Sequence, residues 1–228
     1  MMLTIILVVY KSDKNQLRNI LKKIDKKYNI IIVDNSYNYN FKGLGLSKKT
    51  KIIRSRNNGN GSGINIALKN CKTENAIYTD LDVKFNRNLI QKFINFSKKI
   101  KNFSVLIPNH GNFKKNNKII KNYIGEAAVM FFNLKNLKKI NFFDENFFLY
   151  YEEMDLLHRC KINNIKCYLI PYLIIKHHRA SSIENEGNDP SSPNATPRGQ
   201  SLRAMSDGSR LNFEHVVVNN ERTNKGNY

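Results

Sequence analysis

LTIILVVYKSDKNQLRNILKKIDKKYNIIIVDNS, residues 3–36, opens on an unbroken apolar run, crosses a charged stretch and closes on a second apolar run. A run as uniform as residues 3–9 suits a strand buried on both faces of a parallel sheet rather than one with a wet face. Ser12 and Asp13 are helix-capping types, and Leu17, Ile20, Leu21, Ile24 and Tyr28 recur at helical spacing. That pattern predicts an amphipathic helix over 14–27 with Lys and Arg outward. Residues 29–34, NIIIVD, read as a second buried strand ending in Asp34. Strand, helix and strand within about 30 residues make a βαβ unit with a right-handed crossover. The fold class this implies is α/β, a mostly parallel central sheet flanked by helices.

The alternation continues outward from that unit. A short strand is expected near 51–53, a Gly/Asn-rich turn next, a helix from about Ser62, then the strand AIYTDLD over 76–82. Residues 88–100 read as a helix with Leu89, Ile90, Phe93 and Ile94 inward, and FSVLIP as another strand. Beyond Pro108, KIIKNYI and EAAVMFFN read as strands, NLKNLKKI as a short helix and YEEMDLLHRCKIN as a longer one. CYLIP and LIIKHH are expected as two separate strands divided at Pro171. After Ser182 the composition turns to Ser, Asn, Gly and Pro, with three of the five prolines between Pro190 and Pro197. The expected organisation is one globular domain over 1–182 and a low-complexity tail over 183–228, disordered or truncated.

A chain of 228 residues can bury one sizeable core. Cys71, Cys160 and Cys167 are odd in number and form no CxxC pair, so neither a disulfide framework nor a zinc ribbon is suggested and a reducing compartment is expected. The apolar runs at 3–9 and 167–175 are too short to cross a bilayer. The formal charge of +20 is concentrated in residues 1–181, which hold 33 of the 38 Lys and Arg against 12 of the 18 Asp and Glu. Its dispersal as single Lys among Asn and Ile reads as compositional bias, with a basic face toward anionic lipid or a phosphate-bearing substrate as the competing reading.

Four stretches could carry chemistry. Asp34, Asp80 and Asp82 fall at the carboxyl ends of predicted parallel strands, where open α/β sheets bind ligands. Strand alternation would turn Asp80 and Asp82 to one face, where two hard oxygens can hold Mg²⁺ or Mn²⁺; a strand end opening into a turn is the plainer alternative. NNGNGSGIN, 57–65, lets backbone amides approach a ligand at Gly59, Gly61 and Gly63 before a helix amino end that favours anions, or is an ordinary loop. In FDENFFLYYEEMDLLHR, 143–159, Glu152, Asp155 and Arg159 share a helix side while Glu153 points elsewhere. That acid cluster suits a general base, and equally an acidic first turn with a routine Asp155–Arg159 ion pair. His177 and His178 at a strand end are candidate metal ligands or simple surface residues.

Taken in order, VVYKS (8–12), IIVDNS (31–36), NNGNGSGINIA (57–67), TDLDV (79–83), GEAAVMFF (125–132), FDENFFLYYEEMDLLHR (143–159) and HHRASS (177–182) resemble the family 2 glycosyltransferases, particularly rhamnosyltransferase-like members. The resemblance implies the GT-A nucleotide-diphospho-sugar transferase fold. It implies that Asp34 accepts from the nucleobase, with Val9 and Tyr10 completing the base pocket. Asn57, Gly59 and Asn65 would lie against the nucleotide sugar, and Arg159 counts with the substrate-binding residues. Asp80 would face ribose and metal, Asp82 would be the principal ligand of Mg²⁺ or Mn²⁺, and His177 would complete the site. Glu153 falls where the family places the base that deprotonates the acceptor hydroxyl, with Glu152 and Asp155 as alternatives.

The expected activity is therefore inverting, metal-dependent transfer from a nucleoside-diphosphate sugar to a polysaccharide or lipid-linked saccharide, as in bacterial cell-envelope synthesis. The expected setting is the cytoplasm, with the inner face of the cell membrane as a peripheral contact and no nucleic acid as partner. Two departures from the family pattern stand out: Glu152–Glu153 replaces the usual Glu-Asp pair, and the tail lacks the family's usual carboxyl-terminal helices. They keep open a homologue that binds the sugar nucleotide without catalysis. The other alternative is a protein that binds nucleic acid or acidic lipid through its charge.

Overall fold

Leu3, Ile5, Leu7 and Val9 pack into one layer of side chains and Ile6 into the opposite one, so β1 (Leu3–Val9) is covered on both faces, as its uniform sequence predicts. The same split recurs in β2 (Asn29–Asp34), with Ile30 and Ile32 on one side and Ile31 and Val33 on the other. The computed structural model describes residues 2–84, 87–100, 102–111, 118–123 and 128–176. Within them lies one eight-stranded sheet in the order β3 (Thr50–Arg54), β2, β1, β4 (Asn75–Thr79), β7 (Val129–Asn133), β5 (Phe103–Asn109), β8 (Lys166–Ile174), β6 (Ile120–Lys121). The first four strands are parallel, β7 runs antiparallel between β4 and β5, β8 is parallel to β5, and β6 is antiparallel to β8.

Helices cover both faces. α1 (Lys14–Leu21) and α3 (Arg87–Lys99) bury Leu17, Ile20, Leu89, Ile90 and Phe93 on one side. α2 (Asn60–Lys69), α4 (Leu134–Leu137) and α5 (Glu152–Ile162) bury Ile64, Leu68, Leu137, Leu156 and Leu157 on the other. Cys71, Cys160 and Cys167 are all free. Among the described residues no helix is long and apolar enough to cross a membrane.

Five sequence expectations need correction. The helix expected over 14–27 stops at Leu21, because the Lys23 and Ile24 amides bond the Ile20 and Leu21 carbonyls and Asp25 then accepts the Lys27 amide in a turn. Ile24 and Tyr28 are buried all the same, in the turn rather than on the helix. The strand expected to reach Asp82 ends at Thr79, and Leu81 and Asp82 form a turn. Alternation therefore does not set the directions of Asp80 and Asp82. CYLIP and LII form one strand, β8, which continues through Pro171 at an irregularity in its pairing with β5, where Asn109 Nδ2 donates to the Pro171 carbonyl (2.9 Å). A proline that cannot donate is tolerated at such a bulge. Last, the strand expected over KIIKNYI is only the two-residue β6, and α2 begins at Asn60, two residues before Ser62.

Gly59 shows how closely two of these elements approach. Its φ is +100°, and a Cβ there would lie 2.2 Å from the Phe148 carbonyl oxygen and under 3 Å from two more backbone atoms of Phe148. Gly59→Ala is expected to cost roughly 2–4 kcal/mol, combining backbone strain with an overpacked contact that no rotamer change relieves. Gly43→Ala, at φ +77° with nothing within 4 Å, should cost about 1 kcal/mol from backbone conformation alone. Denaturant titration of the two variants checks this, and equal costs would show that the Phe148 contact does not matter.

Candidate active site

Leaving β3, the chain crosses back to place β4 on the far side of β1, so the strand order reverses between β1 and β4. The carboxyl ends of β1, β2 and β4 share one edge of the sheet, and a crevice at such a reversal is where open α/β sheets hold ligands. Register puts Val9 opposite Asp34 and Asp34 opposite Arg54 at this edge. Val9 is fully buried and Tyr10 is exposed. Asp34 is buried too: Oδ1 accepts the Ser36 amide (2.9 Å), and Oδ2 accepts the Tyr39 amide (2.9 Å) and Arg54 Nη1 (3.0 Å). Its carboxylate thus shapes the loop after β2, which is braced to the loop after β1 by the Lys11 amide on Ser36 Oγ (2.6 Å).

The glycine-rich loop is occupied by the protein itself. Asn57 Oδ1 accepts the Gly59 amide (3.2 Å), Gly59 meets the Phe148 backbone, and the Asn60 amide donates to the Phe148 carbonyl (2.9 Å). A Cβ at Gly61 would contact Phe143 and Glu152, and one at Gly63 would press on Val8 and Asn35. Asn35 Nδ2 in turn donates to the Gly59 carbonyl (3.2 Å). Asn65, buried, closes the other end: Nδ2 donates to the Phe143 carbonyl and to Glu145 Oε1 (2.9 Å each), and Oδ1 accepts the Phe143 amide (3.0 Å). The Asn65 bond, ahead of the Lys69 contact, holds the Glu145 carboxyl below its usual range.

The start of α5 carries the acids. Tyr150 and Tyr151, both exposed, have φ of +66° and +70°, which turns the chain sharply into the helix. Consecutive left-handed tyrosines are strained and persist only where the surroundings fix them. Asp155 is committed to Arg159, Nε to Oδ2 at 2.8 Å and Nη2 to Oδ2 at 2.6 Å, while Arg159 Nη1 donates to the Ile140 carbonyl (2.5 Å). Glu153 is half-buried. Glu152 is 2% exposed; its Oε1 accepts Asn60 Nδ2 (3.2 Å), and among the described residues its Oε2 has no hydrogen-bond partner. Burial, with the Asp80 charge adding to it, pushes the Glu152 carboxyl up to about 7.

Between these acids stands Tyr78 on β4, 2% exposed. Its hydroxyl bonds Asp80 Oδ1 and lies 3.1 Å from Asn60 Oδ1. Burial and then the Asp80 charge hold its ionisation well above the ordinary phenol range. The result is a chain Asp80–Tyr78–Asn60–Glu152, buried at Tyr78 and Glu152 and half-buried at Asp80 and Asn60, joining three distant stretches of sequence. Asp34 lies two strands from β4 and is spent on its own loop. Sequence reading missed Tyr78, Asn60 and Asn35. Tyr78 had a signal, its spacing of two from Asp80; Asn60 and Asn35 had none beyond lying inside quoted motifs.

A divalent cation would find hard oxygen donors in Asp80 and in Asp82, half-buried in the following turn. The Asp80 amide is anchored on the Ala128 carbonyl (2.9 Å), and the Lys84 amide donates to the Lys176 carbonyl (2.9 Å), bringing the chain just before His177 alongside the aspartate turn. His177 and His178 lie outside the described residues, and among the described residues no three acidic, His or Cys side chains cluster as a metal site. The donor chemistry fits a hard cation, with two ligands in view.

The sequence matches glycosyl transferase family 2 over residues 4–166. No curated protein matches it. Among solved structures, TarS of S. aureus (residues 1–349) shares 16% identity at TM-score 0.59, over 77% of this chain and 59% of that one. GalNAc-T7, in complex with UDP, GalNAc and Mn²⁺, shares 12% at TM-score 0.63, over 78% and 44%. The mannosyltransferase PcManGT from Pyrobaculum calidifontis, in complex with GDP-Man and Mn²⁺, shares 11% at TM-score 0.66, over 90% and 64%. The fold is thus the GT-A type, and the chain spans between 44% and 64% of the lengths of these three.

The raised Glu152 carboxyl predicts a pH dependence of stability. With a folded value of about 7 against 4.5 unfolded, the native state keeps a proton that the unfolded chain releases, so stability is lost as pH rises from about 4.5 through 7. Between pH 5 and pH 8 wild type should lose about 2–3 kcal/mol relative to Glu152→Gln, which cannot titrate. Urea unfolding of both proteins at the two pH values measures it; a constant difference would mean that Glu152 is ionised throughout.

Proposed function

The chain belongs to glycosyl transferase family 2, and from that premise we propose that it transfers a sugar from a nucleoside-diphosphate sugar to a hydroxyl of a saccharide or lipid-linked saccharide, with inversion at the anomeric carbon. The observation that carries this reading is the junction of the Asp80 turn, the start of α2 and the start of α5 at the sheet's reversal point, joined by the chain through Tyr78 and Asn60. A protein that merely used its charge would need no such junction. The Mn²⁺ in the GalNAc-T7 and PcManGT complexes supports a divalent cation as part of this reading.

In this reading Asp80 and Asp82 hold Mg²⁺ or Mn²⁺, and His177 adds a ligand. The bound cation would offset the negative charge that builds on the departing diphosphate. The loops after β1 and β2, shaped by Asp34, seat the nucleobase beside Val9 and Tyr10. The Asn57–Asn65 segment, locked to residues 143–148, sets the wall against which the donor sugar lies. Glu153 takes the acceptor proton as the hydroxyl attacks. Glu152 is too deeply buried, and Asp155 too firmly bound to Arg159, for that step, so both act as supports. The donor sugar is a hexose, with rhamnose favoured by the sequence resemblance. The acceptor belongs to a bacterial cell-envelope polysaccharide, and the basic surface lies against the anionic inner face of the membrane.

A thermal-shift panel of nucleoside-diphosphate sugars with and without Mn²⁺ tests the donor, since a ligand that binds the native state raises its apparent stability. Stabilisation of wild type should require Mn²⁺ and vanish in Asp82→Ala; a shift that survives in that variant would remove the cation from the reading. Glu153→Gln should keep the Mn²⁺-dependent shift while slowing transfer roughly 100-fold or more. Loss of donor binding in that variant would instead make Glu153 structural.

A further inference from the structure

The Tyr78 hydroxyl has one proton and two acceptors in reach, Asp80 Oδ1 and Asn60 Oδ1. If Glu152 is ionised, Asn60 must give its amide to Glu152 and its carbonyl to Tyr78, so the phenol proton is drawn to Asn60 and Asp80 is left facing an oxygen lone pair. If Glu152 carries a proton, Glu152 donates to the Asn60 carbonyl, the Asn60 amide donates to the phenol oxygen, and the phenol proton goes to Asp80. The two patterns differ by exchange of the Asn60 oxygen and nitrogen, with no heavy-atom movement. Only the second places a proton in each of the three contacts Glu152–Asn60, Asn60–Tyr78 and Tyr78–Asp80.

Three observations favour that second pattern. Glu152 is 2% exposed, with Oε2 lacking a hydrogen-bond partner among the described residues, which suits a neutral carboxyl far better than a carboxylate. Among the described residues no cation pairs with Glu152. From β4 and the turn beyond it come Tyr78 and Asp80; α2 offers Asn60 and Gly61; and its own helix holds Glu153 and Asp155, the latter bound to Arg159. Lys69 on α2 is taken by Glu145 (3.0 Å). Asp80, by contrast, is only partly buried, at the turn after β4.

We infer that Tyr78 and Asn60 are positioning residues for the Asp80 carboxylate, and that a proton held on Glu152 sets the Tyr78 hydroxyl to point at Asp80. This rests on the reading of Asp80 and Asp82 as cation ligands. The phenol bond fixes the rotation of Asp80 beside Asp82, so the pair meets the cation preset.

Two measurements on the full chain test it. The first uses no ligand: the pH-dependent stability difference between wild type and Glu152→Gln is repeated in a Tyr78→Phe background. It should shrink there, because an ionised Glu152 can then take the Asn60 amide without costing Asp80 its donor. An unchanged difference overturns the chain of bonds. The second follows free Mn²⁺ by electron paramagnetic resonance with UDP or GDP present. Tyr78→Phe should bind Mn²⁺ about tenfold more weakly, the scale of a lost bond to a charged group. Glu152→Gln, which can donate to Asn60 as the protonated acid does, should gain several-fold over wild type between pH 6 and pH 8. Wild-type Mn²⁺ affinity in Tyr78→Phe, or a constant ratio for Glu152→Gln, overturns the positioning role. A wild type that takes up no Mn²⁺ with either nucleotide sinks the transferase reading itself, and the ligand-free comparison still decides the bonds. If Tyr78→Phe does not fold, Asn60→Ala breaks the same chain.

Discussion

The Phe148 carbonyl accepts the Asn60 amide at 2.9 Å, and it can do so because residue 59 has no side chain to hold the two backbones apart. That one contact joins the loop before α2 to the strained turn before α5, nearly ninety residues later. Asn60 and Glu152 come within hydrogen-bond reach as a consequence, and Gly61 leaves Glu152 room to fold inward beside α2. Asn65 makes the same junction at its other end by holding both backbone groups of Phe143. The left-handed tyrosines at 150 and 151 are thus pinned between a fixed segment and a buried helix start, the condition under which such strain persists.

The acids around the junction sort by partner. Asp34 is matched by Arg54, Glu145 by Lys69 and Asp155 by Arg159; the first two pairs tie one element to another, and the third lies within α5. Of these cations, Arg54 and Lys69 are about half exposed, so those pairs contribute little energy and matter chiefly for geometry. Among the described residues, the side-chain partner of Glu152 is the Asn60 amide. An acid buried in that way is a cost to the fold, met by the apolar packing of Leu156 and Leu157 one turn further along the same helix. Natural folds carry such costs mainly where a site needs them.

Much of this architecture was legible in the sequence because it rests on periodicity. β1, β2 and α3 follow from an unbroken apolar run, a second one and a helical repeat, and nothing outside those segments overrides them. The end of α1 was not legible, since Asp25 draws the chain into a turn while Ile24 and Tyr28 stay buried and keep the helical pattern alive. The end of β4 was hidden similarly: TDLDV alternates like a strand, but the chain turns at Leu81. Pro171 misled in the opposite sense, because a proline reads as a break where the partner strand supplies a bulge. At the site, the stretches were visible and their joining was not. Glu152 and Asn60 are 92 residues apart, and no local pattern says that they meet.

That separation bears on how the Glu152–Glu153 pair should be understood. Adjacent residues on a helix point about 100° apart, so the two carboxylates cannot share one environment. Here the first turns under α2 into a dry contact, and the second stays half-buried on another side. The divergence gives two like groups different surroundings, and burial raises the carboxyl of the first, Glu152, to about 7. A Glu in place of Asp at 153 lengthens the side chain by one methylene without altering the direction in which the helix sends it. The helix direction is set by the Phe148 contact and the Arg159 anchor, and both lie outside residue 153.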